Sequence, residues 1–191
     1  MTTLDDKNQI QLLDESNMAK FILELPEQIE KSLQAFDKLE IPENWKKIKN
    51  ICMCGMGGSA MAGWLLKNLP HAERKIPIQI IRNYDLPNWV DDQSLVICVS
   101  HSGDTQETLS AFDKAQKRTK NVLVVSTGGK LTKLAEKNKV LSFKYETPAE
   151  PRASLGYLLG AIFTLFKKLN LIESDLSQAV NFIKKTNSDF K

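Results

Sequence analysis

Five short apolar runs punctuate the chain, at residues 48–54, 76–81, 95–99, 121–126 and 140–143. Each is too short for a buried helix and unbroken enough for a strand covered on both faces. Between them, residues 61–69, 106–118 and 130–137 carry apolar positions at helical spacing. Upstream, the pattern predicts one helix over residues 10–24, broken at Pro26, which cannot sit deep inside it. Pro26 then opens a second helix, whose Ile29, Leu33, Phe36 and Leu39 share a face and which stops by Ile41 and Pro42. His71 falls in a polar connection, and Pro77 near the start of the second run, where a missing donor is tolerated. Residues 153–169 read as a buried helix and residues 174–185 as an amphipathic one. Strands alternating with helices predict a three-layer, doubly wound α/β sandwich with a five-stranded parallel sheet. Ligands of such folds bind outside the C-terminal ends of the strands.

The loops expected at those ends carry the chemistry. The third run leads through Ser100-His101-Ser102-Gly103-Asp104-Thr105 into the predicted helix 106–118. An N-cap needs only one hydroxyl. Three hydroxyls at a strand-to-helix turn point instead to an oxyanion such as phosphate, held on hydroxyl donors and the helix N-terminus. Gly103 lets the backbone approach it closely. After the first run, Gly55-Met56-Gly57-Gly58-Ser59-Ala60 fits G-x-G-x-x-A, a dinucleotide fingerprint, with Arg82 and Asp85 beyond the second run as ribose readers. An NADP-binding oxidoreductase domain is therefore the competing reading. Against it, Asp85 comes late, and such a domain has no use for the hydroxyls after the third strand. Both loops close adjacent central strands, so Gly57, Gly58, Ser59, Ser100, Ser102 and Thr105 are expected to line one pocket. His101 is the candidate acid/base there, but alternation along an extended segment turns it away from its serine neighbours.

Composition narrows the classes. The 191 residues suffice for one domain or one and a half, and a net charge of +3 is too small to imply nucleic acid. No eighteen-residue apolar run suggests a membrane span, and the polar, acidic start is not a signal peptide. Cys52, Cys54 and Cys98 all lie in apolar runs, and an odd number of buried thiols fits a reducing, cytoplasmic setting. Cys52 and Cys54 share a face, as core packing rather than metal ligands, since no histidine or further cysteine stands at ligand spacing.

The pattern S-x-S-G-x-T after a central strand resembles the signature of sugar isomerase (SIS) domains, a flavodoxin-like class. More ordered stretches resemble the first half of the bifunctional phosphoglucose/phosphomannose isomerases. These are Ser16-Asn17-Met18, Leu25-Pro26-Glu27-Gln28, Gly55 to Ala60, Arg82-Asn83-Tyr84-Asp85-Leu86-Pro87, Ser100 to Thr108, Ser126-Thr127-Gly128-Gly129-Lys130-Leu131 and Pro151-Arg152-Ala153-Ser154-Leu155-Gly156-Tyr157. The resemblance implies two SIS domains with a sugar phosphate between them, pairing with a second SIS domain or a homodimer, and no metal or cofactor. It puts the phosphate on Ser100, Ser102 and Thr105, the sugar against Gly58 and Ser59, and Arg152 at the reacting oxygens as the catalytic residue. Arg152 would open the helix after the fifth strand, where its fork suits developing negative charge. A plain ion pair with Glu146 or Glu150 is the alternative. Two positions depart from the family: His101 replaces an aromatic, and Asp104 replaces an asparagine. The implied layout has a helical segment at 1–46, the SIS domain at 47–170, and a C-terminal helix at 171–191 leading to a second half outside these residues. The base, ring-opening histidine and lysine of the family belong to that half. The expectation is thus an isomerase half inactive alone, or else a non-catalytic phosphosugar-sensing module.

Overall fold

Strands β1 (Asn50–Cys54), β2 (Ile78–Ile81), β3 (Ser94–Ser100), β4 (Val122–Ser126) and β5 (Leu141–Lys144) form one parallel sheet in the order β2-β1-β3-β4-β5. The coordinates are a computed structural model, which describes residues 6–69 and 75–187, so His71 lies outside the described residues. All five apolar runs are strands, their ends displaced by a residue or two. β3 is the central strand and is buried at every position.

Alternation along the strands sorts the core into two halves. Ile51, Met53, Leu95, Ile97, Val99, Leu123 and Val125 face α4 (Met61–Lys67) and α7 (Leu155–Lys168). Cys52, Cys54, Val96, Cys98 and Val124 face α5 (Gln106–Gln116) and α6 (Gly129–Lys137). Helices on both faces make the α/β sandwich that the pattern predicts. The sulfurs of Cys52 and Cys54 lie 3.9 Å apart in this second half-core. Hydrogen bonding to Cys54 and then burial hold the Cys52 thiol far above its ordinary range, so it stays protonated.

The helix predicted over residues 10–24 is two helices, α1 (Lys7–Leu13) and α2 (Met18–Leu23). Asp14 is the reason. Its carboxylate accepts from Met18 N (2.7 Å) and Ala19 N (2.9 Å), so it starts a new helix rather than continuing the old one. Asn17 takes the left-handed conformation needed at the corner. In α3 (Leu25–Asp37), Pro26 does sit in the first turn. α3 packs along α7 through two glycines. A Cβ on Gly156 would stand 2.6 Å from Gln28 Cβ, and one on Gly160 2.7 Å from Ile29 O. The last helix is α8 (Ser177–Asn187). Among the described residues no helix is long and apolar enough to cross a membrane.

Candidate functional site

β1 and β3 are neighbours, and the chain runs from β1 outward to β2 on one side and on to β3 on the other. Their C-terminal ends are therefore the switch point of the sheet, where a crevice opens between diverging loops. The sheet brings both singled-out loops to this edge.

In the β3–α5 loop, Ser100 is 1 % exposed. Its hydroxyl lies 2.9 Å from Thr105 Oγ1 and accepts from Gly103 N at 3.0 Å. Thr105 occupies the N-cap of α5, yet its side chain makes no capping bond. The simple capping explanation of these hydroxyls therefore fails, and the first turn of α5 keeps donors that no side chain satisfies. Ser102 Oγ accepts from Asp104 N at 3.2 Å.

The β4–α6 loop locks this one. Thr127 donates to His101 O through both its N–H (3.1 Å) and its hydroxyl (2.6 Å), and Leu131 N donates to Gly103 O at 2.8 Å. Gly103 has φ +72, and a Cβ there would stand 1.8 Å from Gly128 O. Asp104 accepts from Lys130 N at 3.2 Å, in the first turn of α6. Its negative charge thus serves the neighbouring helix end, which accounts for an acid beside a proposed anion site.

The β1–α4 connection is a 3₁₀ turn over Gly57–Ala60 running into α4. Ser59 is buried, and its hydroxyl accepts from His101 N at 3.2 Å, tying the two loops together. A Cβ on Gly58 would come 3.0 Å from Pro151 O, so this turn abuts the segment carrying Arg152. Arg152 does not open α7 as expected. It lies in a separate 3₁₀ turn, Pro151–Ala153, ahead of that helix. The cause is Ser154, whose hydroxyl turns back to Ala149 O (3.2 Å) and Glu150 O (2.9 Å) and delays the helix start. Arg152 is exposed and, among the described residues, forms no ion pair; Glu146 faces Lys144 instead, at 3.7 Å. The predicted residues Gly57, Gly58, Ser59, Ser100, Ser102, Thr105 and Arg152 thus all come to one sheet edge.

His101 continues the strand face opposite to Ser100. Its Nδ1 lies 3.0 Å from the Tyr145 hydroxyl, and Tyr145 stacks on Tyr157 at 5.4 Å. Burial lowers the His101 pKa against an opposing pull from Glu150. Burial likewise pushes the Tyr145 phenol well above its ordinary range, so it is a standing donor at neutral pH. A histidine whose folded pKa is depressed contributes stability that is present above its unfolded pKa, about 6.5, and lost as pH falls. Wild type is accordingly expected to lose more stability than His101→Phe between about pH 7.5 and about pH 5.5. Urea unfolding at both pH values checks this, and parallel losses in the two proteins would rule it out.

The two residues that the dinucleotide reading needs as ribose readers have other partners. Arg82 sits 5.8 Å over the Trp64 ring, and Asp85 is ion-paired with Lys114. A cavity of about 820 Å³ lies at the other end of the sheet, lined by Trp45, Thr119, Val122 and Leu141, away from every predicted site residue. Sequence reasoning passed over Gln28 and Tyr145 as parts of this edge. The visible signal for Gln28 was a polar residue next to Ile29 on the apolar stripe of α3.

No protein-family model matches the chain. Among curated proteins, it is 38% identical over 156 residues to a bifunctional phosphoglucose/phosphomannose isomerase of Caldicellulosiruptor bescii, covering 82% of this chain and 46% of that protein. It is 32% identical over 157 residues to the Aquifex aeolicus protein of the same description, covering 82% and 48%. Among solved structures, tagatose-6-phosphate ketose/aldose isomerase from Escherichia coli superposes with a TM-score of 0.67 at 15% identity, over 91% of this chain and 53% of that one. That likeness confirms the fold as the one shared by phosphosugar isomerases. The chain spans about half the length of the curated relatives it matches. In sequence it is thus similar to about half the length of the bifunctional phosphoglucose/phosphomannose isomerases.

Proposed function

We propose that this chain is the phosphosugar-binding SIS domain of an aldose–ketose isomerase that interconverts glucose 6-phosphate or mannose 6-phosphate with fructose 6-phosphate. The phosphate sits on Ser100, Ser102, Thr105 and the N-terminus of α5, and the sugar runs across Gly57, Gly58 and Ser59 toward Arg152. One observation carries the reading: Thr105 leaves α5 uncapped while Arg152, without an ion pair among the described residues, stands beside Gly58 on the same edge. Neutral donors bind a dianion without an ion pair, and a helix end adds favourable potential.

The reaction moves a proton between C1 and C2 of the open-chain sugar through an enediol-like intermediate. Its oxygens gain negative charge in the transition state. Arg152 stays protonated and offers a planar fork to that charge, stabilising it more than the ground state. The proton itself needs a base that hydroxyls cannot supply. A second domain of the same fold, within one longer chain or in a partner, would bring it.

Calorimetry tests the phosphate end. Fructose 6-phosphate is expected to bind and fructose to bind poorly. Ser102→Ala is expected to weaken the phosphate ester by roughly 1.5–3 kcal/mol, the worth of one hydrogen bond to a charged group. Equal affinity for fructose and its phosphate would refute the assignment.

A further inference from the structure

We infer that Gln28, on α3, is the positioning residue for Arg152. Gln28 is 2 % exposed. Its Nε2 donates to Phe21 O (2.9 Å) and Ala153 O (2.8 Å), and its Oε1 accepts from Gly156 N (3.2 Å). Both amide donors are thus used, and the acceptor is engaged. Ala153 is the next residue after Arg152, and Gly156 belongs to the first turn of α7. That turn has no side-chain cap of its own, because the Ser154 hydroxyl faces backward. Gln28 therefore supplies from another helix the acceptor that an N-cap would supply, and the same amide grips the carbonyl next to Arg152.

The turn is held from two sides. Gln28 fixes the backbone on the C-terminal side of Arg152, and Gly58 abuts Pro151 on the N-terminal side. Among the described residues the guanidinium has no ion-pair partner, so its aim depends on the backbone that carries it. A group that works by orientation tolerates little error, since a misplacement of about 1 Å can cost on the order of a hundredfold in rate. A buried glutamine with three partners in three other elements is a means of fixing that backbone. It also accounts for Gly156, where any side chain would collide with the glutamine.

This inference rests on the reading of Arg152 as the group at the sugar. The test measures fructose 6-phosphate and inorganic phosphate binding to the 191-residue protein by calorimetry. Arg152→Ala is expected to weaken fructose 6-phosphate about tenfold or more and leave inorganic phosphate unchanged. Gln28→Glu keeps an acceptor for Gly156 N and loses both donors. It is expected to reproduce that selective loss, and the double variant is expected to lose no more than Arg152→Ala alone. A folded Gln28→Glu protein with wild-type fructose 6-phosphate affinity, or losses that multiply in the double variant, overturns the inference. If Arg152→Ala itself binds normally, the functional reading of Arg152 fails and the inference with it. A measurement on the wild-type protein needs no variant to fold. Saturating fructose 6-phosphate, but not inorganic phosphate, is expected to slow amide hydrogen exchange at Gly156. Unchanged exchange there sinks the proposal.

Discussion

Gly103→Ala is expected to lower the melting temperature by about 6–16 °C and to abolish fructose 6-phosphate binding, for a domain of this size. The φ of +72 alone costs a side-chain-bearing residue roughly 1–2 kcal/mol. The clash is the larger matter, because a Cβ placed 1.8 Å from Gly128 O cannot be relieved by a rotamer change. The β3–α5 and β4–α6 loops must separate, and bonds such as Leu131 N to Gly103 O and Thr127 N to His101 O stretch with them. At about 1 kcal/mol each, two such bonds bring the total to about 3–4 kcal/mol. Gly57→Ala is the control. Gly57 also has positive φ, +49, but nothing lies within 4 Å of an added Cβ. It is expected to cost about 1 kcal/mol, from strain alone. Comparable melting temperatures for the two variants, read by circular dichroism, would show that the loop contact does not hold the site.

The second large effect concerns turnover. The groups that this edge offers are hydroxyls, backbone amides, an always-charged arginine, the Asp104 carboxylate turned to Lys130 N, and an imidazole whose Nδ1 is engaged by Tyr145. Glu150 is exposed, and among the described residues no hydrogen bond orients its carboxylate toward a substrate carbon. The 191-residue protein is therefore expected to bind phosphosugars and isomerise none of them in a coupled assay. Joined to the remaining half of a family member, covalently or in trans, it is expected to gain phosphoglucose and phosphomannose isomerase activity. In that assembly Arg152→Ala is expected to lower kcat by about 10²–10³-fold, as removal of an oxyanion-stabilising donor does. Turnover by the isolated chain that disappears in His101→Ala would reverse this account and make His101 the base.

The sheet was legible because parallel strands buried on both faces leave continuous apolar runs, and five such runs gave five strands. The facing of His101 was legible for the same kind of reason. The strand period of two carries on past Val99, so His101 meets Tyr145 of the α7-side core and Ser100 meets Thr105 at the start of α5. What escaped depended on partners far away in the chain. Asp104 stood only as a departure from the family pattern, and its acceptor role toward Lys130 N spans 26 residues. Gln28 bonds to Ala153 and Gly156, 125 and 128 residues on. The break between α1 and α2 was local and could have been read. Asp14 with Glu15, Ser16 and Asn17 after it is a helix-start cluster, and the apolar spacing across it outweighed that signal. The separate turn at Arg152 was hidden by an apolar run from 153 onward that reads as uninterrupted helix.

The lock between the β3–α5 and β4–α6 loops has a consequence for the order of events in binding. Loops fastened by Thr127 and Leu131 at 2.6–2.8 Å, with glycines at their crossing, have little conformational entropy left to lose. If phosphate binds there as proposed, it meets donors already in position, and its capture is expected to need no closing motion. Arg152 is the opposite case, with its backbone fixed and its side chain free in solvent. Immobilising such a side chain costs about 0.5–1.5 kcal/mol. The ordering penalty of recognition therefore falls almost wholly on the sugar end. On the proposed reading of this edge, a substrate is expected to be anchored first by its phosphate, with discrimination among sugars following as the guanidinium settles or fails to settle on the oxygens it finds.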